Sequence, residues 1–145
     1  MINSSKMLMI FGACVFSGQL PAFGEMTADE AITLISGNTV DGERRDGGVP
    51  GVDAPGKIEN FATPFSLYFD SNGTLRKKTG GKPKIGKWRV SDDSGLCMKW
   101  KGKKEKCAPI HKQGNVYRRV VRRKNGFILY EHTYIGIIPG NKYKL

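Results

Sequence analysis

Lysine and arginine are the chemically capable side chains this sequence supplies in excess, and what they offer is electrostatic grip on an anion, not bond-making. Between positions 74 and 124 the chain carries 18 Lys or Arg against three acids, Asp92, Asp93 and Glu105. They fall into three groups. Arg76, Lys77 and Lys78 follow one turn signal; Lys99, Lys101, Lys103, Lys104 and Lys106 surround a second; Arg118, Arg119, Arg122, Arg123 and Lys124 close the next strand. Lysine contributes a diffuse field, whereas arginine grips carboxylate or phosphate at two points. A field this concentrated calls for an anionic partner or surface more than for a reaction. The candidate anion-binding set is Arg76, Lys77, Lys78, Lys101, Lys103, Lys104, Arg118, Arg122, Arg123 and Lys124. The competing expectation is a solvated basic face, and Lys87, Arg89 and Arg119 sit where solvent alone would account for them.

The side chains that could make or break bonds do not assemble. His111 and His132 have no His or Cys at metal-ligand spacing beside them. Glu131 and His132 are neighbours on a strand, so they point to opposite faces and make a poor dyad. Asp92-Asp93 precedes Ser94-Gly95, which is turn chemistry. The glycine-rich stretches lack the strand-loop-helix setting of a phosphate loop. The expectation is therefore a non-enzyme with no metal and no cofactor. Cys97 and Cys107 read as a structural disulfide. In an antiparallel hairpin, paired positions share one sum; theirs centres the turn on Gly102 and sets the two cysteines opposite each other. The same register pairs Lys99 with Glu105 and puts Met98 and Trp100 on the other face. A bridge closing so short a loop stabilises by about 2–3 kcal/mol in the chain-entropy model.

The elements that must position these groups begin with an export signal. Lys6 is the sole charge before Glu25, an apolar run covers 7–16, and Ala22 and Gly24 are small residues placed for a cut after Gly24. That run is too short to span a bilayer, and no later segment could. Residues 1–24 are thus a signal peptide and 25–145 one domain, periplasmic or secreted. Thr27 and Glu30 form a capping box for a short helix whose apolar face is Ala31, Ile32, Leu34 and Ile35, ended at Gly37. Residues 41–64, with five glycines and three prolines, read as a long flexible loop. From Phe65 onward, period-two apolar patterning and a turn signal every ten or so residues give an antiparallel meander, open or closed into a small barrel. The fold class is mostly β with one N-terminal helix.

Gly86-Lys87-Trp88-Arg89-Val90, Gly95-Leu96-Cys97-Met98-Lys99-Trp100 and Cys107 together resemble a group of small exported proteobacterial proteins of unknown function. Ser36-Gly37-Asn38-Thr39, Tyr68-Phe69-Asp70, Asn72-Gly73-Thr74 and the ending Pro139-Gly140-Asn141 extend the likeness over nearly all of the exported chain. The signal and the length are also similar to the VirK family of plant-associated bacteria. Either resemblance implies an exported accessory protein, virulence-associated in the second case, and brings no catalytic residue. Gly86-x-Trp88 is similar to the lipocalin motif, but that family carries it on the first strand; here it implies no more than a lipocalin-like barrel. The functional expectation is an exported, non-catalytic envelope or virulence-associated protein whose basic surface binds acidic polysaccharide or lipid head groups. The alternative is a protein–protein module, such as a secreted inhibitor, using residues 41–64 and the 101–104 turn. Export places cellular nucleic acid behind envelope anions as a partner.

Overall fold

The computed structural model describes residues 23–145; the expected signal segment up to position 22, Cys14 included, lies outside the described residues. The elements are β1 (Gly24–Glu25), α1 (Ala28–Ile35), β2 (Asn38–Asp46), β3 (Thr63–Phe69), β4 (Thr74–Lys77), β5 (Lys84–Val90), β6 (Gly95–Trp100), β7 (Lys106–Gln113), β8 (Val116–Arg122) and β9 (Ile128–Pro139). From β2 to β9 each strand pairs antiparallel with the next, and β9 returns along β2 from Asn38↔Pro139 to Asp46↔Tyr130. The meander is therefore a closed eight-stranded barrel, in which every strand from β2 to β9 has a partner on both sides. β1 adds two residues outside the closure, setting Glu25 opposite His111 on β7.

α1 plugs one end. Thr27 accepts from the Glu30 amide at 3.3 Å while Glu30 accepts from the Thr27 amide at 2.8 Å, the expected capping box. Ala31 and Ile35 are fully buried against Val40, Phe69, Leu75, Trp88, Leu96 and Ile110. Trp88 donates its indole N–H to the Asp70 carbonyl at 2.8 Å and meets Phe69 edge-on at 5.6 Å. The glycine of Gly86-x-Trp88 has a steric reason. A Cβ there would lie 2.6 Å from the Lys99 carbonyl and 2.7 Å from the Trp100 ring, so glycine lets Trp100 lie across β5.

The cysteine arithmetic holds. Cys97 and Cys107 are register partners joined by a disulfide, and Gly102 at the turn has φ +72°. Met98 faces the interior, as expected, and Trp100 packs at its margin. The predicted Lys99–Glu105 pair does not form. The ladder stops at Met98↔Lys106, and Glu105 turns instead to Arg89 at 2.7 Å. Asp92 and Asp93 lie in the expected turn, with Ser94 at φ +68°.

The loop expected over 41–64 is shorter than its composition implies. Residues 41–46 are the second half of β2, hydrogen-bonded to β3 on one side and to β9 on the other. Gly42 reads as a breaker, yet it is required inside a strand, since a Cβ there would meet the Thr133 carbonyl at 2.4 Å and the Phe65 ring at 2.7 Å. The irregular part is 47–62, and even it is tied down by a Gly47↔Ile58 bridge and by the Ile128 amide donating to the Pro55 carbonyl at 3.2 Å.

Candidate functional site

Because the strands alternate in direction, the residues at the end away from α1 come from the finishes of β2, β4, β6 and β8 and the starts of β3, β5, β7 and β9. That end is open. It holds a cavity of about 490 Å³ lined by Arg44, Thr63, Pro64, Phe65, Leu67, Lys77, Lys84, Met98, Trp100, Lys103, Lys104, Lys106, Leu129, Tyr130 and His132. Two classes of side chain line it. Phe65, Leu67, Met98, Trp100, Leu129 and Tyr130 make an apolar wall. Arg44, Lys77, Lys84, Lys103, Lys104 and Lys106 bring six cations to its walls and rim, and no carboxylate is among the lining residues.

The cations are held in different ways. Arg44 donates Nε to Asp46 at 2.9 Å and lies over the Tyr130 ring at 4.3 Å, so it is partly neutralised and oriented. Lys84 approaches the Trp100 ring, with Nζ 5.0 Å from its centroid. Lys77 is half-buried; burial foremost, then Arg44 and Lys84, hold its ammonium below the usual lysine range. An anion placed among these three would favour the charged ammonium and raise it again. Lys103, Lys104 and Lys106 are exposed along the disulfide hairpin.

Deeper in, His132 is 7% exposed and sits between Phe65, 4.6 Å away by ring centroids, and Tyr130, 4.7 Å away. Burial first, then the charges of Arg119, Arg44 and Lys77, push its imidazole well below the ordinary histidine range. It is therefore a neutral ring at physiological pH, and its Nδ1 has no hydrogen-bond partner among the described residues. Behind Tyr130 lies Arg119, fully buried. Its guanidinium donates to the Leu96 carbonyl at 3.0 Å, the Lys106 carbonyl at 2.8 Å and the Tyr130 hydroxyl at 3.3 Å. These partners are dipoles rather than a carboxylate, so they satisfy its donors and leave its charge uncompensated. Tyr134, fully buried, has its phenol raised to about 12 by burial.

Of the residues the sequence put forward, Lys77, Lys103 and Lys104 line the cavity. Lys101 stands exposed at the same hairpin tip; Arg122, Arg123 and Lys124 are exposed where β8 turns into β9, also at the open end, with Arg122 donating to the Gly126 carbonyl at 3.2 Å. Arg76, Lys78 and Arg118 do not join them. Arg76 takes the opposite face of β4 from Lys77 by strand alternation, Lys78 lies over the Tyr143 ring at 4.0 Å, and Arg118 is ion-paired with the buried Glu131. Arg119, read as solvent-facing, is the most deeply placed cation of the barrel. Arg44 and Lys84 were missed as site residues. Their signal was the alternation Gly42-x-Arg44-x-Asp46 and Lys84-x-Gly86-x-Trp88, which places each on the inward side of its strand.

The arrangement can hold an anion and exclude a cation. Glu131 and His132 are on opposite sides of β9, as expected, with Glu131 paired outside to Arg118. No protein-family model, curated protein or solved structure matches the chain.

Proposed function

We propose that this is an exported, non-catalytic binding protein whose open barrel end holds anionic envelope material. The observation that carries the reading is the convergence of Arg44, Lys77, Lys84, Lys103, Lys104 and Lys106 on one cavity that has no carboxylate in its lining. Clustering of like charge costs stability through self-repulsion, and an anionic ligand converts that cost into affinity. The Cys97–Cys107 disulfide supports an oxidising compartment, and no described helix is long and apolar enough to cross a membrane.

The test is a titration of the exported chain against anions, a hexuronate oligosaccharide and a phosphatidylglycerol vesicle, with neutral dextran and phosphatidylcholine as controls. Binding to either anion is expected, weakening as salt shortens the Debye length from about 10 Å at 0.1 M to about 3 Å at 1 M. Equal retention of the neutral controls, or no anion bound at low salt, overturns it.

A second reading has its own observation. Val52 is 82% and Phe61 80% exposed in the 47–62 segment, apolar surface that suits a protein contact. On that reading the chain is a protein–protein module, and a Phe61→Ser variant loses a salt-resistant partner in a pull-down.

A further inference from the structure

We infer that the cavity takes the apolar body of an amphipathic organic anion, inserted end-first, with its carboxylate or phosphate left among Lys77, Lys84 and Lys104. This rests on reading the barrel mouth as an anion site and adds what the rest of the ligand must be.

Three features of the cavity separate such a ligand from a uniformly charged or sugar polymer. The first is that it is a dead end. α1 and the cluster of Ile35, Phe69, Leu75 and Trp88 fill the opposite end of the barrel, so a polymer has no way through and only a chain end can enter. The second is the lining. Between the cations the wall is Phe65, Leu67, Met98, Leu129 and Tyr130, surface that gains by excluding water and gives a sugar ring few hydrogen bonds. Methionine among them can adapt to a chain or to a ring. The third is size: 490 Å³ lies within the range of about 300–1,000 Å³ that small-molecule sites occupy.

His132 adds one polar note. It lines the cavity, is more than nine-tenths buried, and its Nδ1 has no partner among the described residues. The charged groups that face it are Arg119, Arg44 and Lys77, all cations. The inserted body is thus attracted if it carries electron density or a hydrogen-bonding oxygen, and repelled if it carries positive charge. Lysine suits the rim because its methylene stem lies along apolar surface while its ammonium stays wet. The result is hydrocarbon and cations sharing one cavity, Lys77 level with Leu67 and Lys106 with Met98, which suits an amphiphile better than a uniformly polar chain.

The experiment is calorimetric titration of the disulfide-bonded chain with hexanoate, octanoate and decanoate, each below its micellar range, alongside 2-naphthoate, decanol and a hexuronate oligosaccharide. Trp100 lines the cavity and Trp88 lies at the plugged end, so the fluorescence response should be lost in Trp100→Phe while the heat of binding remains. Affinity should rise about fourfold per added methylene, as expected for burial of hydrocarbon, until the cavity is filled. Decanol should bind at least tenfold more weakly than decanoate. Lys77→Gln/Lys84→Gln should cost at least tenfold, the lower end for losing even one charge-assisted contact, and its circular dichroism should match that of the native chain. Decanoate and 2-naphthoate distinguish a flexible from a planar body, and binding of either supports the inference. Hexuronate binding with no dependence on carboxylate chain length overturns it and leaves the anion-site reading standing. No binding of any anion removes both.

Discussion

His132 makes a prediction about stability that needs no ligand. Its imidazole is packed between Phe65 and Tyr130 and kept neutral by burial and by Arg119, Arg44 and Lys77. In the unfolded chain it titrates near 6.5. Its folded value is depressed, so between about pH 6.5 and the folded value the unfolded state binds a proton that the native state refuses. Stability from this residue is therefore fully present above the unfolded value and is lost as pH falls below it. While the native ring stays neutral, each pH unit below about 6.5 costs at most about 1.4 kcal/mol, the full slope for one proton bound by the unfolded state alone. For a domain of about 120 residues, unfolding with an entropy of about 2.1 cal/mol/K per residue, each such unit lowers Tm by at most about 6 °C. The assay is urea unfolding by circular dichroism at pH 7 and pH 5 for the native chain and for His132→Phe. Phenylalanine removes the titration, keeps a ring between Phe65 and Tyr130, and deletes the unpartnered Nδ1. The native chain should lose more stability than the variant between pH 7 and pH 5, and none of the excess above pH 7. Carboxylates such as Asp41, held low by Ser66, Tyr143 and Lys142 against the opposing effect of burial, lose their contribution at lower pH and are common to both chains. Equal pH dependence in the two would refute the argument, because it would mean that His132 binds its proton in the fold as readily as outside it.

Two further predictions concern the frame. Replacing both Cys97 and Cys107 by serine should cost about 3 kcal/mol in urea unfolding, since the bridge closes a loop with a sequence separation of 10; an unchanged midpoint relative to the native chain without reductant would contradict the chain-entropy account. Gly86→Ala should destabilise by about 1–3 kcal/mol, as its methyl meets the Lys99 carbonyl, a backbone atom that cannot rotate away; because the Trp100 ring is the other obstacle, a shift in Trp100 fluorescence should accompany the loss.

The parts of this molecule that were legible in its sequence are those fixed by local rules. Thr27 and Glu30 are three residues apart, and the capping box follows. Phe65, Leu67 and Phe69 alternate, and all three face the core. The cysteine register follows from a sum. What could not be read depends on closure, which brings β2 to β9 across nearly the whole described chain. Nothing near Arg44 in sequence says that β9 will lie beside it, and the composition of 41–46 argues for a loop until Phe65 and Thr133 are seen to crowd Gly42. The interior of the open end also breaks the rule that inward positions are apolar. Lys77, Lys84, Arg119 and His132 all occupy inward positions, so a pattern reader assigns them to solvent. Glu105 was lost for a smaller reason: the ladder ends one pair before it, which frees its carboxylate to reach Arg89.

The misreading of Arg119 points to how the cavity persists. A barrel end lined by cations lacks the side-chain packing that holds the plugged end together, and its natural failure is to collapse or splay. Arg119 reaches from β8 to the carbonyls of Leu96 on β6 and Lys106 on β7, crossing one strand to tie a second. The disulfide joins β6 to β7 in the same region, one residue along from each of those carbonyls. A covalent bond and a multidentate guanidinium thus fix the wall below the Lys103, Lys104 and Lys106 cations. Neither fills the space that the wall encloses. Apolar side chains could stabilise that end as well or better, since buried ionic groups often replace hydrophobic packing at no gain in stability. They would do so by occupying the cavity. The choice of fasteners that hold strands apart, combined with a rim that repels itself, is a physical reason to treat the open end as built for a ligand rather than as a solvated remainder of the fold.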